Sequence, residues 1–209
     1  MGKKGALTFL GIFVFFTAAR GDGRSLQINL FGGKNWVMSY GSTEEYRPGE
    51  NDFPDTPAHG VLHFGTGLAY VLRNGLGFEL EGRAYLSTNI TLTDPSDGDT
   101  STIRSAPHIS LAFNIFYEFD GARLSPYVLV GGGFDAASSK AQSVVSQKGY
   151  EVTFSSRNTI IAMLQAGIGA RFFVQPRWGV RMDARYVHLL GDPDAIRNIC
   201  VSLGLFFDL

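Results

Sequence analysis

The sequence predicts an all-β chain: an eight-stranded antiparallel up-and-down transmembrane β-barrel. Three observations predict it. An apolar leader is too short to cross a membrane as a helix, the rest of the chain alternates with period two, and the connections alternate between tight and long.

The leader comes first. Lys3 and Lys4 precede a 14-residue apolar run over residues 6–19. A membrane-spanning helix needs about 20 such residues, so the run reads as a signal-peptide core rather than an uncleaved anchor. Thr17 and Ala19 occupy the −3 and −1 positions of a cleavage site before Arg20. The expected organisation is a cleaved signal peptide, 1–19, followed by one barrel domain, 20–209. The single cysteine, Cys200, allows neither an intramolecular disulfide nor a cysteine-based metal site.

Composition narrows the class without deciding it. Charged residues make up 18% of the chain, below the roughly 25% of soluble domains. Aromatics reach 13%, and the net charge of −1 gives no reason to expect nucleic acid. A soluble all-β domain or an aromatic-rich sandwich would share these figures.

The strands follow in order. The first, residues 25–37, puts Leu26, Ile28 and Leu30 on one face and Gln27 and Asn29 on the other. The second, 59–72, sets Leu62, Phe64, Leu68 and Tyr70 against Val61, His63, Gly65, Gly67 and Ala69. The third, 75–90, alternates Leu76, Phe78 and Leu80 with Glu79, Glu81 and Arg83. The fourth, 105–119, has an unbroken apolar face from Ile109 to Phe119 opposite His108, Ser110, Asn114 and Glu118. The fifth, 124–136, carries Gly131-Gly132-Gly133, which blurs its phase. The sixth, 157–174, the seventh, 178–190, and the eighth, 195–209, complete the set.

Tight turns join strands two and three at Arg73-Asn74-Gly75, four and five at residues 120–123, and six and seven at Gln175-Pro176-Arg177. Residues 39–58, 91–104 and 137–156 read as longer polar loops, and 191–194 as a short one. Tight turns at one end and long loops at the other describe a membrane barrel better than a Greek-key sandwich.

The two faces also differ in kind. One is large and aromatic; the other mixes glycine, small residues and charges, which suits the cramped interior of a small barrel. The expected lumen charges are Glu79, Glu81, Arg83, Glu118, Asp135, Arg171, Arg181, Asp183 and Arg185. Unpaired, each would cost several kcal/mol on the order of ion desolvation. Acids and arginines in near balance therefore read as a structural plug.

At the C-terminus Val201, Leu203, Leu205, Phe207 and Leu209 fall on one face. This resembles the terminal strand by which bacterial outer-membrane proteins are recognised by their assembly machinery, with Leu209 where an aromatic is usual. The stretch Leu124-Ser125-Pro126-Tyr127 through Gly131-Gly132-Gly133-Phe134, and Trp178-Gly179-Val180-Arg181-Met182-Asp183-Ala184-Arg185-Tyr186, resemble strands of OmpA/OmpX-like, opacity-type barrels. The resemblance implies a small outer-membrane barrel in contact with membrane lipid and lipopolysaccharide. It does not imply one activity.

A structural or surface-interaction role ranks first, carried by loop segments such as Ser42-Thr43-Glu44-Glu45, 94–99 and 138–148, with a host or surface ligand as candidate partner. No cofactor is expected. A lipid A deacylase or acyltransferase is the enzymatic alternative. His108 and Ser110 share a face, but Glu118 lies about 30 Å away along the strand and cannot complete a triad, so an acid from another strand is required. His63 and His188 read as packing residues, and a His59–His63 metal site as weaker still. A narrow pore is the third reading, opposed by the filled lumen.

Overall fold

The computed structural model describes residues 25–39, 59–93, 100–121, 123–139, 142–145, 149, 151–154, 156–190 and 196–209. Eight strands form a closed wall: β1 (Ser25–Ser39), β2 (His59–Val71), β3 (Leu76–Tyr85), β6 (His108–Glu118), β7 (Leu124–Ser139), β10 (Arg157–Gln175), β11 (Trp178–Leu189) and β12 (Ile196–Asp208). Each pairs antiparallel with its neighbours in the wall, and β1 closes on β12. No wall strand is left with an unpaired edge.

Register fixes the size of the barrel. From Gln27 the paired residues run Ala69, Glu79, Asn114, Gly131, Gln165, Val187 and Asn198, then return to β1 at Val37. The path closes 37 − 27 = 10 residues further along β1. Eight strands staggered by ten residues imply a tilt of about 40° and a radius of about 8 Å. Such a lumen is wide enough for side chains and little else.

The period-two pattern sorts into wall faces. Leu30, Leu62, Leu80, Ile109, Phe113, Val130, Ile168, Met182 and Leu203 are exposed on the outside. A continuous belt of this kind would not be stable in water and is the lipid-facing surface of a membrane barrel. In the lumen, glycines stand beside large side chains. A Cβ at Gly67 would meet Glu79, at Gly77 the Phe116 ring, at Gly169 the Tyr127 ring and at Gly179 the Phe206 ring. Each absent side chain makes room for a neighbour's full one, which is how so narrow a tube accommodates arginine and tyrosine.

At the end with the tight turns, Gly75 adopts φ +82°, a conformation that favours glycine. Its N–H donates to the Leu72 carbonyl at 3.0 Å. The Asn74 side chain accepts from the Leu76 N–H at 3.2 Å. Pro176 and Arg177 make the two-residue connection from β10 to β11.

The opposite end departs from expectation. Residues 91–104 and 137–156 are not plain loops. A hairpin of β4 (Asn89–Thr93) and β5 (Thr100–Arg104) projects beyond the wall, and a second joins β8 (Gln142–Val145) to β9 (Glu151–Phe154). The third wall strand accordingly ends at Tyr85 rather than near Ile90, and the fifth continues to Ser139. The proposed leader, residues 40–58, 94–99 and 191–194 lie outside the described residues.

Candidate functional site

The lumen is the site that the wall builds. β3 and β11 contribute most of it, because Glu79, Glu81 and Arg83 alternate on one strand and Arg181, Asp183 and Arg185 on the other. All six are buried. Arg181 pairs with Glu79 at 2.5 Å and with Asp183 at 3.4 Å. Arg185 pairs with Asp183 at 2.6 Å and with Glu81 at 2.8 Å. Arg83 pairs with Glu81 at 2.6 Å. Three arginines thus face three carboxylates in one connected network. Its neutrality matters, because a buried ion is tolerable only when it is paired and hydrogen-bonded.

Neutral side chains complete the coordination. Asn29 donates to Glu79 at 2.7 Å, and Asn114 donates to the other Glu79 oxygen at 3.4 Å. Gln165 donates to Asn114 at 2.6 Å. The Tyr127 hydroxyl accepts from Arg181 at 3.2 Å and donates to Asp183 at 3.3 Å. Toward the tight turns, Arg171 pairs with Glu118 and lies against the rings of Phe116 and Tyr127, with guanidinium-to-centroid distances of 4.7 and 5.2 Å. Below this layer, recesses of about 730 and 380 Å3 open between the turns.

Eight of the nine expected lumen charges therefore form two bonded groups, and Asp135 stands outside both. Its carboxylate lies 3.8 Å from His108 Nε2 and, in register, opposite Ser110. The neighbouring strand thus supplies an acid beside His108, as a His–Ser reading requires. All three side chains point inward, however, and Ser110 is only 2% exposed. Higher in the lumen, His63 contacts the Ser202 hydroxyl at 3.1 Å and the Cys200 sulfur at 3.6 Å, and Arg83 donates to that sulfur at 2.8 Å. His63 is a buried lumen residue, whereas His188 sits on the outer face above Tyr186. The His59 side chain lies outside the described residues, and no group of three metal-ligating side chains occurs among the described ones.

Sequence reasoning did not assign roles to Asn29, Asn114, Tyr127, Gln165 or Cys200 in this network. Asn29 and Asn114 were legible as inward by alternation. Tyr127 was hidden by the ambiguous phase around the three glycines. Which strand each residue meets depends on register, which no single strand displays.

The closed β-barrel wall has counterparts among known proteins. The sequence matches the outer membrane protein beta-barrel domain over residues 10–207. The chain belongs to that family. It is an outer-membrane β-barrel, and the family places it in the bacterial outer membrane. Among solved structures, the N-terminal β-barrel domain of Pseudomonas aeruginosa OprF is similar with a TM-score of 0.53 at 14% identity, covering 91% of this chain and 100% of that one. The outer membrane protein OprG of Pseudomonas aeruginosa gives a TM-score of 0.53 at 12% identity, with 90% and 98% covered. At these identities the likeness concerns the fold. No curated protein matches the chain.

Proposed function

We propose that this outer-membrane barrel is a non-conducting, non-catalytic scaffold that acts through the hairpins and loops it holds at the cell surface. The observation that carries the reading is the plug: Arg171, Arg181, Arg185, Glu79 and Glu81 are fully buried in a lumen about 8 Å in radius, measured to the strand backbones. A solute passing through would have to break buried ion pairs. With the inside filled and the wall covered by lipid, recognition falls to the barrel ends, and the end facing away from the tight turns bears the β4–β5 and β8–β9 hairpins.

The test replaces each hairpin by a two-residue turn and follows both heat-modifiable migration and adhesion of expressing cells to host or abiotic surfaces. The expected result is an intact barrel with lost adhesion. Adhesion that survives both deletions sinks the reading. Two subsidiary proposals go with it. The mature protein begins at Arg20, which mass spectrometry of the membrane-extracted protein reads directly. The alternating terminal strand through Val201, Leu203, Leu205, Phe207 and Leu209 serves as the assembly signal.

One observation favours a second reading, an acyl hydrolase built on Ser110, His108 and Asp135: Asp135 lies 3.8 Å from His108 and is the cross-strand partner of Ser110. Lipid A mass spectra with and without the protein separate the two. Unchanged acylation supports the scaffold, and an acylation change abolished by Ser110→Ala establishes the hydrolase. The inward, buried placement of Ser110 argues against it, since acyl chains lie outside the wall.

A further inference from the structure

We propose that the outer face of β1, β12 and β11 carries a binding site for the phosphorylated glycolipid of the outer leaflet, formed by Lys34, Arg197 and His188. The inference stands apart from the scaffold reading, since it concerns the wall and not the loops.

Charge on the outside of this barrel is confined to one place. Among the described residues of the eight wall strands, the outward positions are apolar, glycine or uncharged polar, with three exceptions: Lys34 on β1, His188 on β11 and Arg197 on β12. No carboxylate faces outward on any wall strand; Glu79, Glu81, Glu118, Asp135, Asp183 and Asp208 all fall in the inward phase. Three basic side chains, unmatched by acids, thus gather on three adjacent strands.

Register brings them to one level. Arg197 is the direct cross-strand partner of His188 on one side and of Ser39 on the other. Two residues lower, Trp36, Ile199 and Tyr186 form a single row across the same strands. Lys34 starts one row below but climbs. Its Nζ lies 5.4 Å from the centre of the Trp36 ring. The climb follows a groove left by Gly60 of β2, where a Cβ would collide with the lysine side chain, so the ammonium sits on the β2 side of Trp36 and Arg197 on the β12 side. With about 3.3 Å of rise per residue and a tilt of about 40°, the three groups fall within about 10 Å of height.

That level is the boundary of the membrane. It lies toward the end away from the tight turns, near the described ends of β1, β11 and β12, with Met38 and Leu190 still exposed just beyond it. Tryptophan and tyrosine favour this depth, and a lysine stem runs along apolar surface to bring its charge up to it. Beneath, apart from the root of Lys34, the outward residues of β12 are apolar, with Val201 and Leu203 exposed. An amphiphile with phosphates on a sugar headgroup fits the whole arrangement: phosphate on Lys34 and Arg197, sugar over the aromatic row, acyl chains along β12. Arginine in particular offers forked donors matched to phosphate oxygens.

The test is native mass spectrometry of the folded protein released from mixed micelles containing diphosphoryl lipid A, dephosphorylated lipid A or phosphatidylglycerol. Wild-type protein is expected to retain the diphosphoryl form preferentially. Lys34→Gln/Arg197→Gln should lower retention roughly ten-fold or more, at about one interaction-energy unit of a surface cation with an anionic membrane per charge removed. Arg177→Gln, at the opposite end of the barrel, should leave retention unchanged. Heat-modifiable migration establishes that each variant is folded. Equal retention of the dephosphorylated lipid, equal competition by phosphatidylglycerol, or a folded double variant with wild-type retention overturns the proposal. If the double variant does not fold, the comparison of phosphorylated with dephosphorylated lipid on the wild-type protein decides the matter alone.

Discussion

Glu79 bonds to more side chains than any other carboxylate in the lumen, with Arg181, Asn29 and Asn114 in hydrogen-bonding reach and Arg185 at 3.9 Å. Removing it takes the nearer carboxylate from the buried Arg181, leaves Asp183 at 3.4 Å as its ionic partner and unbalances the network by one charge; breaking a buried pair in this way costs about 3–5 kcal/mol. Glu79→Ala is therefore expected to lower the denaturant midpoint of the micelle-folded protein substantially. Asp135 provides the contrast. No arginine contacts it in the bonded groups, and its ionic neighbour is His108 at 3.8 Å. Asp135→Asn should cost less than about 1 kcal/mol in the same unfolding measurement, since it removes no partner of a buried cation. Similar losses for the two variants would mean that the plug is not organised around Glu79. Both residues read alike in the sequence, as acids in the inward phase. What separates them is cross-strand register, which places Arg181 within reach of the first and leaves the second beside a histidine.

At the scale of the element, alternation was a faithful guide wherever one face of a strand had a job that the other lacked. In the fourth predicted strand, Ile109 to Phe119 face lipid while Ser110 and Asn114 face the lumen, so period two appears in full. The β4–β5 hairpin lies outside the wall, and its apolar face is short: Ile90, paired with Ile103, is buried, while Thr91, Thr93, Thr100 and Thr102 make up much of the rest. Its strands therefore looked like loop. The fifth strand failed differently, since glycine can occupy either face and Gly131-Gly132-Gly133 carries no phase. The structure resolves it by packing: a Cβ at Gly131 would meet Asn114, and one at Gly133 the Leu111 carbonyl. The same complementarity gives a test on β10. Gly169→Leu should drive a side chain into the Tyr127 ring, and its Cβ against the Met182 carbonyl, and destabilise the barrel by about 1–3 kcal/mol or more, the second contact persisting when the ring is removed. Tyr127→Ala alone should also destabilise it, but the double variant should lose less than the sum, because the added leucine occupies the space the ring has left. Strict additivity in unfolding free energies would show that Gly169 is not there to admit Tyr127.

For the whole molecule, closure and filling are two consequences of one number. A ten-residue stagger over eight strands sets a radius of about 8 Å, and at that radius inward side chains from opposite walls meet. The six central ions come from β3 and β11, which lie across the barrel from each other, so the Arg181–Glu79 and Arg185–Glu81 bridges span the lumen. Conductance should therefore depend on these residues in a specific way. Wild-type protein in planar bilayers is expected to give no discrete channels. Single removal of Glu79 or Arg181 leaves the network with one uncompensated charge, and it mixes lost stability with any change in permeation. Removing both by Glu79→Ser/Arg181→Ser deletes one positive and one negative charge together and keeps the lumen neutral. It also takes two long side chains from the middle of the plug, so water and small ions should enter and narrow, resolvable steps should appear. If the wild type conducts as the double variant does, the ion pairs do not seal the barrel and the narrow-pore reading replaces the scaffold. If neither conducts although both are folded by heat-modifiable migration, the seal lies elsewhere, and the Arg171–Glu118 layer with its Phe116 and Tyr127 rings is the next constriction on the path.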